Sequence, residues 1–134
     1  MSIEVYIDGA SRGNPGESGI GIVINYKNGN KKEIKKYLGI GTNNQAEYTA
    51  LITALESLKE ESKNKIIIHT DSQLVANQIN GLWKVKDPDL KLLFLKAKES
   101  INNFSDLTIK HIRREFNKEA DRVANDAINE YFNK

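Results

Sequence analysis

Residues 42–71 read TNNQAEYTALITALESLKEESKNKIIIHTD, and their hydrophobic period changes midway. Ala46, Ala50, Leu51, Ala54, Leu55 and Leu58 recur at intervals of three and four, which predicts an amphipathic helix over about 44–62. Lys65–Asp71 then forms a short continuous apolar run, the pattern of a strand buried on both faces.

The flanking sequence extends this unit in both directions. Residues 3–8, IEVYID, set Ile3, Val5 and Ile7 against Glu4, Tyr6 and Asp8, a period of two that predicts a strand. Residues 18–26 are β-branched and apolar, Asn28-Gly29 is a hairpin signal, and 31–39 completes an antiparallel meander. Downstream, residues 72–80 read as a short helix ending near Gly81. Asp87-Pro88 caps and starts another helix, with Leu90, Leu93, Phe94, Ala97 and Ile101 as its apolar positions. DLTIKHIRR, 106–114, alternates as a fifth strand. A last helix runs from about Asn117, with Val123, Ala124, Ala127, Ile128 and Tyr131 on one face. The order β-β-β-α-β-α-α-β-α predicts an α/β fold: a five-stranded mixed sheet with helices on its faces and a site at the carboxyl ends of parallel strands.

A chain of 134 residues fits one domain, expected to span 1–134. Hydrophobic residues at 39% and charged residues at 28% suit a soluble globular protein. There is no cysteine, which excludes disulfides and thiolate metal sites. No apolar run nears the ~20 residues that span a membrane, and the N-terminus carries no signal-peptide pattern. A cytoplasmic protein with no membrane partner is expected. The net charge of +2 neither demands nor excludes a nucleic-acid partner.

Four acids stand where acids are unexpected. In VYIDGASRGNPG, residues 5–16, Asp8 ends the first strand and is followed by three glycines and a proline. Asp71 ends the fourth strand, so neighbouring first and fourth strands would put both carboxylates at one sheet edge. Glu47 falls on the apolar face of its helix, and Asp121 on the core side of the last helix, in its first turn. Plainer readings exist for each: a turn start at Asp8, a helix cap at Asp71, a capping box of Asn44 with Glu47, and an acid favoured by a helix N-terminus at Asp121. Together, however, four converging carboxylates repel one another unless protonated or bridged by cations. Hard oxygen ligands select Mg²⁺ or Mn²⁺, and four carboxylates suit two ions ~3.5–4 Å apart, an arrangement for phosphoryl transfer.

Over essentially its whole length the chain resembles ribonuclease H, type 1. The motifs that carry the resemblance are YIDGASRGNPG, GTNNQAEYTAL, IIHTDSQLV and REFNKEADRVAN, in the family's order and spacing. The resemblance implies a ribonuclease H-like fold and the family's acidic quartet at Asp8, Glu47, Asp71 and Asp121. It implies endonucleolytic hydrolysis of the RNA strand of an RNA–DNA hybrid with two Mg²⁺ ions, leaving a 5′-phosphate and a 3′-hydroxyl. Asp8 would bridge both ions, Asp121 would help hold the one that activates water, and Glu47 and Asp71 the one at the leaving oxygen. No protein partner is implied, and a monomer is expected. Competing readings are a non-cutting nucleic-acid-binding domain of this fold and a related nuclease that also acts on double-stranded RNA.

Many family members carry a histidine before the last aspartate. Here the alternation of LTIKHIRR puts His111 inside the fifth strand, and Arg114, seven residues before Asp121, matches a branch in which an arginine serves instead. His69 reads as a packed structural histidine. The basic insertion of many bacterial members is reduced to NGLWKVKDPDLK, where Trp83, Lys84 and Lys86 would line the DNA strand. Gly9, Asn14, Asn43, Asn44 and Gln73 offer bare backbone and short amides for a wide minor groove lined with 2′-hydroxyls. Gly9 is expected to leave room for the hybrid's backbone. Thr42 resembles a residue that helps hold a DNA phosphate, while Ile40 stands where some members have an assisting arginine.

Overall fold

The computed structural model describes residues 2–133. Its strands are β1 (Ile3–Gly13), β2 (Gly16–Asn25), β3 (Lys31–Gly41), β4 (Lys65–Thr70) and β5 (Asp106–His111). Its helices are α1 (Asn43–Ser57), α2 (Gln73–Ile79), α3 (Pro88–Ile101) and α4 (Lys118–Phe132). The sheet order is β3-β2-β1-β4-β5. The first three strands pair antiparallel, while β4 runs parallel to both β1 and β5.

The β1–β4 register decides where the chemistry can sit. Val5 lies opposite Ile68 and Ile7 opposite Thr70. The next residue on each strand is an aspartate, so Asp8 and Asp71 emerge side by side.

Each face of the sheet takes its cover from strand alternation. On one face Val5, Ile7, Ile20, Ile22, Ile24, Ile66 and Ile68 are buried beneath Tyr48, Leu51 and Leu55 of α1. α3 packs on α1 as an outer layer. On the other face β2 presents Gly19 and Gly21, and α4 lies directly on them. A Cβ at Gly21 would stand 2.3 Å from the Ala120 carbonyl oxygen and 2.4 Å from the Ala124 nitrogen. Small residues on both sides let the helix backbone approach the strand, which places the first turn of α4 next to the end of β1.

Several boundaries differ from the sequence expectations. β1 continues past 8 to Gly13 because its antiparallel pairing with β2 persists to the Gly13–Gly16 pair. The predicted 44–62 helix ends at Ser57 and continues as a 3-10 turn over Lys59–Glu61. β5 stops at His111, and Arg114 lies on a 3-10 turn, Arg114–Phe116, because β4 ends at Thr70 and leaves no strand to pair with. β4 is fully buried only on its α1 face. Ile67 and His69 on the other side are half-buried, since α4 covers β1, β2 and β3 instead. There His69 stacks on Tyr6 at 4.5 Å, and its Nε2 meets Glu4 Oε1 at 2.7 Å, a structural pairing. Among the described residues no helix is long and apolar enough to cross a membrane.

Gly21→Ala drives a methyl group into the backbone of α4 and should lower stability by about 3 kcal/mol. Urea denaturation monitored by circular dichroism measures this; a loss below about 0.5 kcal/mol would show that α4 can slide away from β2 without penalty.

Candidate active site

Three carboxylates meet at the ends of β1, β4 and the first turns of α1. One carboxylate oxygen from each of Asp8, Glu47 and Asp71 lies within 4.8 Å of the others. Asp8 and Glu47 are buried, at 5% and 6% exposure, and Asp71 is half-buried.

Glu47 and Asp71 are free for this cluster because other residues cap their helices. Thr42, not Asn44, caps α1: its side chain accepts from the Gln45 N–H at 3.1 Å, and Gln45 Oε1 accepts from the Thr42 N–H at 3.0 Å. That reciprocal box leaves Glu47 uninvolved in capping. Ser72 caps α2 by accepting from the Val75 N–H at 3.1 Å, which leaves Asp71 free in the same way.

Gly9 has a different role from the one its sequence suggests. A Cβ there would meet the Ala46 carbonyl carbon and the Glu47 nitrogen at 2.4 Å each. The bare position admits α1 rather than a ligand backbone, and the Gly9 N–H donates to Glu47 Oε1. The glycine thus sets Glu47 against the end of β1.

Asp121 also departs from expectation. It is exposed, on the outer side of α4, and is not one of the three clustered carboxylates. It stands at the rim of the same cleft as Asp8, and its charge acts on the Asp8 carboxyl. Asp8, Asp121 and Arg114 share an open cleft of about 300 Å³ with Gly9, Ser11, Asn43 and Asn125. His111, exposed at the end of β5, does not line this cleft.

The electrostatics follow from the crowding. Burial, followed by the charges of Glu47, Asp71 and Asp121, pushes the Asp8 carboxyl far above its usual range. Burial and Asp71 raise Glu47 too, against the opposing pull of the Gly9 N–H, Asp8 and the Arg114 guanidinium. Asp8 is the one that feels all three other acids. An all-oxygen set of buried, mutually repelling carboxylates fits a hard divalent cation, which would replace the protons they otherwise hold.

The remaining expected residues lie around this centre. The Asn14 side chain accepts from the Asn43 N–H at 3.1 Å, joining the β1–β2 turn to the start of α1. Thr42, Asn44 and Gln73 sit at the first turns of α1 and α2. Trp83, Lys84 and Lys86 are exposed on the α2–α3 connection, outside the cleft lining, with Trp83 at 47% exposure. Buried Gln78 anchors that connection: it accepts from the Tyr48 hydroxyl at 2.5 Å and donates to the Lys84 carbonyl at 3.4 Å.

Two asparagines escaped the sequence reading. Asn117 Nδ2 donates to Asp71 Oδ2 at 3.0 Å and to the Ile7 carbonyl at 2.9 Å. Asn125 Nδ2 donates to the Asp121 carbonyl at 3.0 Å, and Arg12 reaches Asn125 Oδ1 at 3.4 Å and Asn129 Oδ1 at 2.7 Å. Both lie within REFNKEADRVAN, so position in a motif was the available signal.

The sheet order, with carboxylates at its parallel ends, defines a ribonuclease H-like α/β protein with an acidic centre. The sequence model of the family described as Reverse transcriptase-like matches residues 6–127. Ribonuclease HI of Halobacterium salinarum is 41% identical over 96% of the chain and 65% of the relative. The crystal structure of RNase H1 from that archaeon matches with a TM-score of 0.90, covering 97% of this chain and 99% of that one. LC11-RNase H1, solved in complex with an RNA/DNA hybrid, is 40% identical with a TM-score of 0.90, over 97% of this chain and 99% of that one. A bifunctional protein of Mycobacterium tuberculosis is 38% identical over 96% of the chain, which spans 36% of that relative's length. The chain belongs to the Reverse transcriptase-like family and, within it, to ribonuclease H, type 1. It spans just under two thirds of the archaeal relative and about one third of the mycobacterial one.

Without cations, the folded protein holds protons on Asp8 and Glu47 that the unfolded chain releases at ordinary carboxylate pH. Its stability should therefore fall as pH rises from about 5 to 9 in chelator. Asp8→Asn should flatten that slope and gain on the order of 1–3 kcal/mol at pH 8, less than the full shift converts to because the open cleft admits screening water. Thermal unfolding of both proteins across this range checks it; a steeper slope for Asp8→Asn is the contrary result.

Proposed function

We propose that this chain is an endoribonuclease that hydrolyses the RNA strand of RNA–DNA hybrids, leaving 5′-phosphate and 3′-hydroxyl ends. The observation that carries the reading is the Asp8, Glu47 and Asp71 cluster within 4.8 Å at the parallel strand ends. The related LC11-RNase H1 in its hybrid complex supports the substrate class. Residues 1–134 act as one catalytic domain.

Asp8, Glu47 and Asp71 would hold the divalent cations, with Asp121 offering a fourth carboxylate at the rim of the same cleft as Asp8. Mg²⁺, with Mn²⁺ as a substitute, would supply activation of the attacking water and neutralisation of charge on the phosphate and leaving oxygen. The protein's own contribution is placement. Asp8, whose carboxyl feels the charges of the other three acids, would be a ligand to the bound cations. Arg114, in the cleft beside Asp121, lends a positive charge to the developing anion and to product release.

Substrate contacts follow the same geometry. Asn14, Asn43, Asn44 and Gln73 gather around the helix starts next to the acids, where short amides can meet 2′-hydroxyls and base edges without reading sequence, while Gly9 serves the site through α1 and Glu47. Thr42 offers its hydroxyl to a DNA phosphate, with exposed Ile40 providing no second charge. Trp83 stacks on a DNA sugar, and Lys84 and Lys86 meet phosphates. With so few cations, hybrid binding should be salt-sensitive and modest.

Labelled RNA–DNA hybrid, double-stranded RNA and double-stranded DNA, each incubated with Mg²⁺, Mn²⁺ or chelator, test the reading. The hybrid's RNA strand should be cut with either metal and spared in chelator, and Asp8→Asn should lose at least ~10³-fold in rate. A wild-type protein that cuts no hybrid defeats the proposal. Arg114→Ala should lower kcat roughly 10-fold with an unchanged fold; wild-type kinetics would remove Arg114 from the reaction.

A further inference from the structure

We propose that Asn117 is a positioning residue that holds the Asp71 carboxylate in its cation-binding orientation and ties together the segments that carry three of the four acids. The inference rests on the ribonuclease reading above and goes beyond it in assigning a residue outside the acidic set.

Asn117 is 1% exposed and lies just before α4, yet its side chain caps nothing on that helix. It points inward. Both protons of its amide are used: one on Asp71 Oδ2 at 3.0 Å, the other on the carbonyl of Ile7 at 2.9 Å, the residue before Asp8. Its main-chain carbonyl accepts from the Asp121 N–H at 3.1 Å. One residue therefore touches the end of β1, the end of β4 and the first turn of α4. Glu47 reaches the same point independently, through the Gly9 N–H.

The chemistry of the side chain narrows what it can be for. Two acceptors face Nδ2, so the amide cannot be turned over without setting its oxygen against both of them. In this orientation Oδ1 is buried with no hydrogen-bond partner. Leaving such an acceptor unmade is costly, a penalty that an apolar side chain in the same space would avoid. A buried residue that retains it serves the two groups it donates to. Among the described residues the amide is the only hydrogen-bond donor on the Asp71 carboxylate. Without it, Asp71 is free to rotate away from Asp8 and Glu47, whose charges repel it. A neutral amide is the fitting choice, because a cation there would compete with the metal and a carboxylate would add to the repulsion.

The test is divalent-cation binding in the absence of nucleic acid. Calorimetric titration with Mn²⁺ should show about 10–100-fold weaker binding for Asn117→Ser than for wild type, as for other residues that orient a metal ligand. Circular dichroism should show both folded. In an Asp71→Asn background the same serine substitution should change Mn²⁺ affinity less than twofold. On hybrid substrate, kcat should fall while KM stays near wild type. Unchanged Mn²⁺ affinity in folded Asn117→Ser, or an equal loss in the Asp71→Asn background, overturns the proposal. If Asn117→Ser does not fold, the wild-type protein decides: the Asn117 side-chain amide resonances should shift as Mg²⁺ is added, and resonances that stay still overturn it. Wild-type cleavage that persists alongside such a negative result leaves the nuclease reading standing and removes only the role of Asn117.

Discussion

Mutual repulsion among Asp8, Glu47 and Asp71 opposes the structure at its functional edge, and the fold supplies what holds them together. A buried carboxylate surrounded by others is unfavourable unless it takes up a proton or a cation. The compensation comes from the aliphatic face shared by β1, β2, β4 and α1, where Val5, Ile20, Ile22, Ile24, Ile66 and Ile68 are fully buried. Residues within that sheet are adjacent to the acids by a single step along the strand. The core therefore transmits its rigidity directly to the carboxylates.

Close backbone approach is the second means of support. Two helices come unusually near the sheet, each over a glycine: α1 over Gly9 and α4 over Gly21. The first approach lets a main-chain N–H of β1 donate to Glu47. The second sets the start of α4 against β1, so that Asn117 can reach Asp71 and Ile7. Side chains at these two glycines would move whole helices, and the acids with them.

The site divides into a buried half and an exposed half. Asp8 and Glu47 are buried and Asp71 is half-buried, so their charges interact more strongly than charges at the surface. Asp121, Arg114 and Asn125 sit at the rim and line the open cleft, where water screens them. The polar run Asp121, Asn125 and Asn129 along α4, joined by Arg12, carries the rim outward toward the β1–β2 turn.

Hydrophobic period and local signals in the sequence were sufficient for the order of elements, the meander and the Asp87 cap, because those depend on neighbours within a few residues. They were also sufficient to mark Asp8, Glu47 and Asp71 as misplaced acids. Glu47 has the spacing of a capping residue for Asn44, but the helix starts two residues earlier in register, and Thr42 and Gln45, equally suitable by sequence, form the box instead. The outward placement of Asp121 depends on how α4 is rotated over Gly19 and Gly21, a contact between segments about 100 residues apart. Asn117 was invisible for the same reason: an asparagine before a helix reads as a cap, and only the assembled sheet offers it Asp71 and Ile7 instead. Sequence alone determined which residues could be acids at strand ends. The parallel register of β1 with β4 and the packing of two helices over glycine decided that they meet, since hydrogen-bond pairing and backbone contact across distant segments leave no trace in local periodicity.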